Sequence, residues 1–120
     1  MTRPLIAFIL FGSFLTACSD DSSGVDGSKK LADLSLSEMG DLCDYTSDVE
    51  GGYGASKMCG DGFSISVQSR EACIAQLEAT VAGCTATVDN AEACAEAIGE
   101  DLCKLLSEPK CAFALQCSAG

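Results

Sequence analysis

Nine cysteines carry most of the chemistry available to this chain: Cys18, Cys43, Cys59, Cys73, Cys84, Cys94, Cys103, Cys111 and Cys117. A thiol can attack, ligate metal, cross-link or accept a covalent adduct, and its neighbours decide which. There is no histidine, so neither a Ser-His-Asp nor a Cys-His arrangement exists to activate a nucleophile. No Cys-x-x-Cys pair offers the usual spacing of structural zinc, and the reading expects no metal and no cofactor. Cross-linking remains, in an oxidising compartment. Nine is odd, which leaves one sulfur for another purpose.

Cys18 is that one. It ends a leader in which Arg3 supplies a positive charge, Leu5–Leu15 an apolar run and Thr16-Ala17 two small residues. The pattern is a targeting segment. A spanning helix needs about 20 apolar residues, and Ser19-Asp20-Asp21 follows too soon. Leu15-Thr16-Ala17-Cys18 resembles the lipobox of bacterial lipoproteins. That resemblance implies cleavage between Ala17 and Cys18 and a diacylglyceryl thioether on Cys18. It also implies the envelope of a Gram-negative bacterium, with Ser19 after the cysteine pointing to the outer membrane. The expected partner is therefore the membrane, through lipid on Cys18.

Charge agrees with a covalent anchor. Seven basic residues face eighteen acidic ones, and loss of Arg3 with the leader takes the formal net charge from −11 to −12. Such a chain repels a phosphate backbone and has no basic patch to dock on anionic lipid, so no nucleic-acid partner is expected. Three of the five phenylalanines lie in the leader and there is no tryptophan. The rest has few large side chains, builds a thin core and needs staples.

The fold class expected is mainly α: a small disulfide-stapled bundle of about four helices, with a short β-hairpin or extended loop after the first. The division is a leader over 1–17, the lipid-bearing cysteine with a disordered tether over 18–32, and a helical domain over 33–120. Residues 19–30 are polar and Gly/Ser-rich, with a reach of roughly 20 Å. Apolar spacing predicts a first helix between 34 and 50, with Leu36, Met39, Leu42, Cys43 and Tyr45 inward. Ser35 and Glu38 form its capping box, and Gly51-Gly52 its stop. Residues 57–67 alternate like a strand around a Gly60-Asp61-Gly62 turn, clipped by Cys59.

Ser69 caps a second helix over 70–82, ended by Gly83 and facing inward with Cys73, Leu77, Val81 and Cys84. Asp89 and Glu92 are the expected cap pair of a third, whose stripe runs through Ala91, Cys94, Ala95, Ile98, Leu102, Leu105 and Leu106, with a bend at Gly99. Pro109 starts a last short helix with Cys111, Ala114, Leu115 and Ser118 inward.

This layout narrows the pairing of Cys43, Cys59, Cys73, Cys84, Cys94, Cys103, Cys111 and Cys117. Bridged Cα atoms lie within about 7 Å. Cys73 and Cys84 on one helix would be about 16 Å apart. Cys111 and Cys117 would be about 9 Å apart. Antiparallel helices meeting near Ser107 favour Cys103–Cys111 and Cys94–Cys117. The other four then pair as Cys43–Cys73 with Cys59–Cys84, or as Cys43–Cys84 with Cys59–Cys73.

The remaining candidates are poor. Gly60-Asp61-Gly62 lacks the spacing and lysine of a phosphate loop, and Asp89-Asn90-Ala91-Glu92 lacks the ligand order of a calcium loop. The acids Glu38, Asp41, Asp44, Asp48, Glu71, Glu78, Glu92, Glu96, Glu100 and Asp101 read as solvated helix exteriors.

Leu42-Cys43-Asp44, Gly51-Gly52-Tyr53-Gly54 and Cys59-Gly60-Asp61-Gly62, with evenly spaced cysteines, resemble the small cysteine-rich lipoproteins of myxobacterial type, whose function is unknown. The mature part is also similar to plant lipid-transfer proteins, eight-cysteine helical bundles around a lipid cavity, but lacks their Cys-Cys and Cys-x-Cys. The expected role is a tethered structural or protein-interaction module of the envelope, without catalytic activity. The alternative is a carrier or sensor of a small apolar ligand or lipid in a helical-bundle cavity.

Overall fold

The computed structural model describes residues 22–117. Within them the fold is mainly α, with one small hairpin and four disulfides. The first helix, α1 (Leu36–Val49), begins at the expected capping box: Ser35 accepts from the Glu38 N–H, and the Glu38 carboxylate accepts from the Ser35 N–H. Lys29 Nζ reaches the same carboxylate at 2.7 Å. Met39, Leu42, Cys43 and Ser47 are buried on one face, as a 3.6-residue period requires. Leu36 was expected to share that face but is 61% exposed.

Much of the segment expected as a disordered tether is ordered. The chain from Ser23 onward lies against the domain. Val25, Leu31 and Leu34 are buried. Leu31 N donates to Ala86 O, Val88 N to Lys29 O and Asp89 N to Gly27 O, each at 2.9 Å. Lys30 and Thr87 form an antiparallel bridge. One valine and a few backbone bonds to a distant segment suffice to hold a stretch that polarity alone marks as free.

After α1 the strands β1 (Ser56–Met58) and β2 (Ser64–Ser66) pair antiparallel, Lys57 opposite Ile65. Cys59 N donates to Phe63 O across the turn. The glycines of Gly60-Asp61-Gly62 take the positive φ that the turn needs. Helix α2 (Arg70–Glu78) is capped by Ser69, as expected, but ends at Ala79 rather than near 82. Its continuation is diverted because Val81 N donates to Cys117 O, and a turn closes from Val81 to Cys84. Gly83 sits in that turn and is not the helix stop.

Helix α3 (Val88–Ile98) is capped by Thr87 and Asn90, which exchange bonds as a capping box. Asp89 and Glu92 do not form the cap. Glu92 is buried and accepts from both N and Oγ of Ser23. The apolar stripe does not continue to Leu106. Gly99, at φ 55° and ψ −138°, ends the helix, a backbone state open chiefly to glycine. Residues Leu102–Leu106 form a 3-10 turn in which Leu102 is buried while Leu105 and Leu106 face out. Pro109 starts a second 3-10 turn, Pro109–Cys111, followed by the short α4 (Phe113–Cys117). On α4 Leu115 is 86% exposed, and Phe113 and Cys117 take the inward positions.

Two apolar clusters result. The larger gathers Val25, Leu31, Leu34, Met39, Leu42, Ala86 and Val88 with Cys84 and Cys117. The smaller joins Ile98, Leu102 and Cys111, with Ile65, Val67 and Cys94 packed against it.

Candidate functional site

The disulfides frame the site. Cys43–Cys73 joins α1 to α2 with Cα atoms 6.1 Å apart. Cys59–Cys103 joins the hairpin to the 3-10 turn at 5.5 Å. Cys84–Cys117 joins the turn after α2 to α4 at 5.0 Å, and Cys94–Cys111 joins α3 to the second 3-10 turn at 4.8 Å. All eight cysteines after Cys18 are thus paired with each other. Ala17 and Cys18 lie outside the described residues.

The favoured pairs Cys103–Cys111 and Cys94–Cys117 are corrected. Both assumed that the third helix runs to Ser107 and meets an antiparallel partner there. Gly99 ends it two turns early, and the following residues turn toward the hairpin, where Cys103 Sγ lies 3.4 Å from the Met58 carbonyl. Cys103 therefore meets Cys59, Cys94 takes Cys111, and Cys117 is left for Cys84. Of the two arrangements left open for the other four, only the bridge Cys43–Cys73 occurs. Cys59 and Cys84 bond outside that group.

Between α1, α2, α3 and α4 lies a cleft in two adjoining chambers. One, about 210 Å³, is walled by Leu31, Leu77, Ala91, Ala95, Phe113 and the disulfide residues Cys73, Cys94 and Cys117. The other, about 320 Å³, is lined by Tyr53, Val67 and Leu105 among others. Thr46, Glu50, Cys73, Gln76 and Ala114 line both. Glu50 therefore stands at the junction.

Glu50 was missed in the sequence because it follows the last residue of α1 and looks like a surface cap. Its backbone N–H does cap the helix, donating to Thr46 O and Ser47 O. The signal was its spacing: Glu50 falls two turns after Cys43, on the buried face. Its carboxyl makes no hydrogen bond or ion pair with any described residue. Burial without a compensating partner raises its pKa from the ordinary 4.5 to about 7.

A polar cluster lies beside the Tyr53 wall of the second chamber. The Tyr53 hydroxyl donates to Asp44 Oδ1 at 2.6 Å, and Arg70 Nε reaches the same oxygen at 3.0 Å. The tyrosine's bond and then the guanidinium hold Asp44 below its usual range. Burial, then the neighbouring carboxylate, pushes Tyr53 up to about 12. Glu50 and Tyr53 are the titratable groups lining the two chambers, and the tyrosine is already committed to Asp44. Such an arrangement can hold an apolar body and exchange one proton or one ion pair with it.

Among the described residues no group of three His, Cys, Asp or Glu is placed to hold a metal ion, and no helix is long and apolar enough to cross a membrane. No protein-family model, no curated protein and no solved structure matches the chain.

Proposed function

We propose that this chain is a bacterial lipoprotein, cut between Ala17 and Cys18 and held at the envelope of a Gram-negative cell, in the outer membrane, by acyl groups on Cys18. Its folded part is a structural or protein-interaction module without catalytic activity. The observation that carries the reading is cysteine pairing: the eight cysteines from Cys43 to Cys117 satisfy each other. That leaves Cys18 as the odd sulfur, at the end of the leader. Anchoring by two or three chains is stable where one chain is marginal. The test is the intact mass of the protein purified from membranes, reduced and unreduced. It should carry a diacylglyceryl adduct on a chain starting at Cys18 and gain eight hydrogens on reduction. An intact mass with no acyl adduct on Cys18 would overturn the anchor.

A second reading is supported by the cleft. We read α1 to α4 as a small bundle around it, and the module as a carrier or sensor of a small apolar ligand. Pockets for such ligands are mostly apolar, with few polar groups that fix orientation, and Glu50 is placed to be one of them. Native mass spectra of protein extracted from its own membranes would show a bound ligand. A cleft that stays empty there removes this reading and leaves the anchor untouched.

A further inference from the structure

We propose that the cleft binds a small cationic amphiphile, its apolar body in the chamber walled by Leu31, Leu77, Ala91, Ala95 and Phe113 and its ammonium group paired with the Glu50 carboxylate. This rests on the carrier reading and adds the ligand's class. Three observations carry it. Glu50 stands where the two chambers meet, so a head group there leaves the chamber walled by Leu77 and Phe113 for a tail. Among the described residues neither chamber is lined by a lysine or arginine. The described guanidinium, Arg70, is bound to Asp44, and Lys29 and Lys57 pair with Glu38 and Asp101. Among the described residues Glu50 thus holds a partly buried position without a counter-ion.

Charge complementarity then selects the occupant. A carboxylate ligand would set two like charges side by side in a poorly solvated space. A neutral alcohol would leave the Glu50 charge uncompensated or force the carboxyl to keep its proton. An ammonium supplies both charge and donors, and such charge-assisted bonds are short and strong where water is scarce. At about 210 and 320 Å³ the chambers lie below and at the small end of the ligand-pocket range of about 300–1,000 Å³, which suits a single medium chain rather than a multi-chain lipid.

The experiment compares three ten-carbon probes with different head groups, decylamine, decanol and decanoate, by titration calorimetry at pH 7.5 below the concentrations at which they aggregate. Decylamine should bind at one equivalent, about tenfold more tightly than decanol, with decanoate weakest. Glu50→Gln should bring decylamine to the level of decanol. Glu78→Gln, an equal charge change at an exposed site on α2, should leave the preference intact and so exclude attraction by overall acidity. A carbon-detected NMR titration of the Glu50 carboxyl gives a readout that needs no variant: bound decylamine should lower its midpoint. Equal binding of amine and alcohol, or an amine preference that survives Glu50→Gln, would overturn the head-group assignment while the apolar carrier stands. Binding of none of the three would remove the carrier reading itself.

Discussion

The larger apolar cluster, around Leu42 and Val88, and the smaller one, around Ile98 and Leu102, hold their parts of the chain by different means. Helices α1 and α3 each bring their own cap, and bury Met39 and Leu42 from α1 and Val88 from α3 in the first. Leu42 is 2% exposed, and Cys43 and Val88 are fully buried. The hairpin that leans on the second has little of this. Every residue of β1 is exposed, and β2 contributes only a half-buried Ile65. A lone two-stranded hairpin is marginal in water. Here it is tied down by Cys59–Cys103 and by the exposed pair Lys57–Asp101 at 3.1 Å, of which the ion pair contributes little. One region is packed and then stapled; the other exists because it is stapled.

Breaking each region should therefore look different. Leu42→Ala removes a side chain buried at the centre of the first cluster. It should cost about 3 kcal/mol, and α1, α2 and α3 should lose protection together in hydrogen exchange. The paired change Cys59→Ser with Cys103→Ser should cost about 2 kcal/mol and act locally. Amides from 55 to 67 should exchange as in an open loop, while those of α1 and α3 keep most of their protection. If the double variant unfolds as one unit, the hairpin is part of the main core and the contrast fails.

The N-terminal segment gives a third, smaller test of the packed region. Glu92 is a buried acid whose two described bonds both come from Ser23. Glu92→Gln weakens two charge-assisted bonds and should cost about 1 to 2 kcal/mol. It should speed proteolytic cutting between 22 and 30 without exposing the sites in α3. Cutting at wild-type rates would mean that Val25 and the backbone bonds to residues 86–89 hold the segment unaided.

Most local signals are legible in the sequence and distant ones are not. The Ser35 and Ser69 caps, the 3.6-residue spacing of Met39, Leu42 and Cys43, and the glycine turn of the hairpin all depend on neighbours within a few residues. The errors have two causes, a distant contact and a local stop. Thr87-x-x-Asn90 caps α3 where Asp89-x-x-Glu92 was preferred, because Glu92 is engaged by Ser23, far away in the chain. The stripe through Leu102, Leu105 and Leu106 keeps helical spacing in a segment that Gly99 has already released from the helix. That one misjudged glycine also moved the partners of Cys94, Cys103, Cys111 and Cys117. The cleft was expected only in outline, from small side chains, and its one charged residue lay hidden past the end of a helix. Closure of the cleft needs α4 beside α2, a relation made by Cys84–Cys117 that no local pattern carries.

The smallest effect bears most directly on the cleft. In the unfolded chain Glu50 titrates near its ordinary 4.5, and in the folded protein near 7. Between those values the folded state keeps a proton that the unfolded state has released, so stability falls as pH rises through the window and levels off above it. Glu50→Gln cannot lose a proton. It should match the wild type near pH 4.5 and exceed it by about 1 kcal/mol at pH 8, after allowing for partial contact with water. Asp26, Glu38 and Asp44 have lowered pKa values from hydrogen-bonding and cationic partners. They stabilise the fold above about pH 4 and withdraw that support in acid. Because they do so equally in both proteins, the difference between the two stability curves isolates Glu50. A flat difference from pH 5 to pH 8, measured by urea unfolding, would mean that water reaches the carboxyl freely. The junction of the two chambers would then be too wet to favour a cationic head over a neutral one.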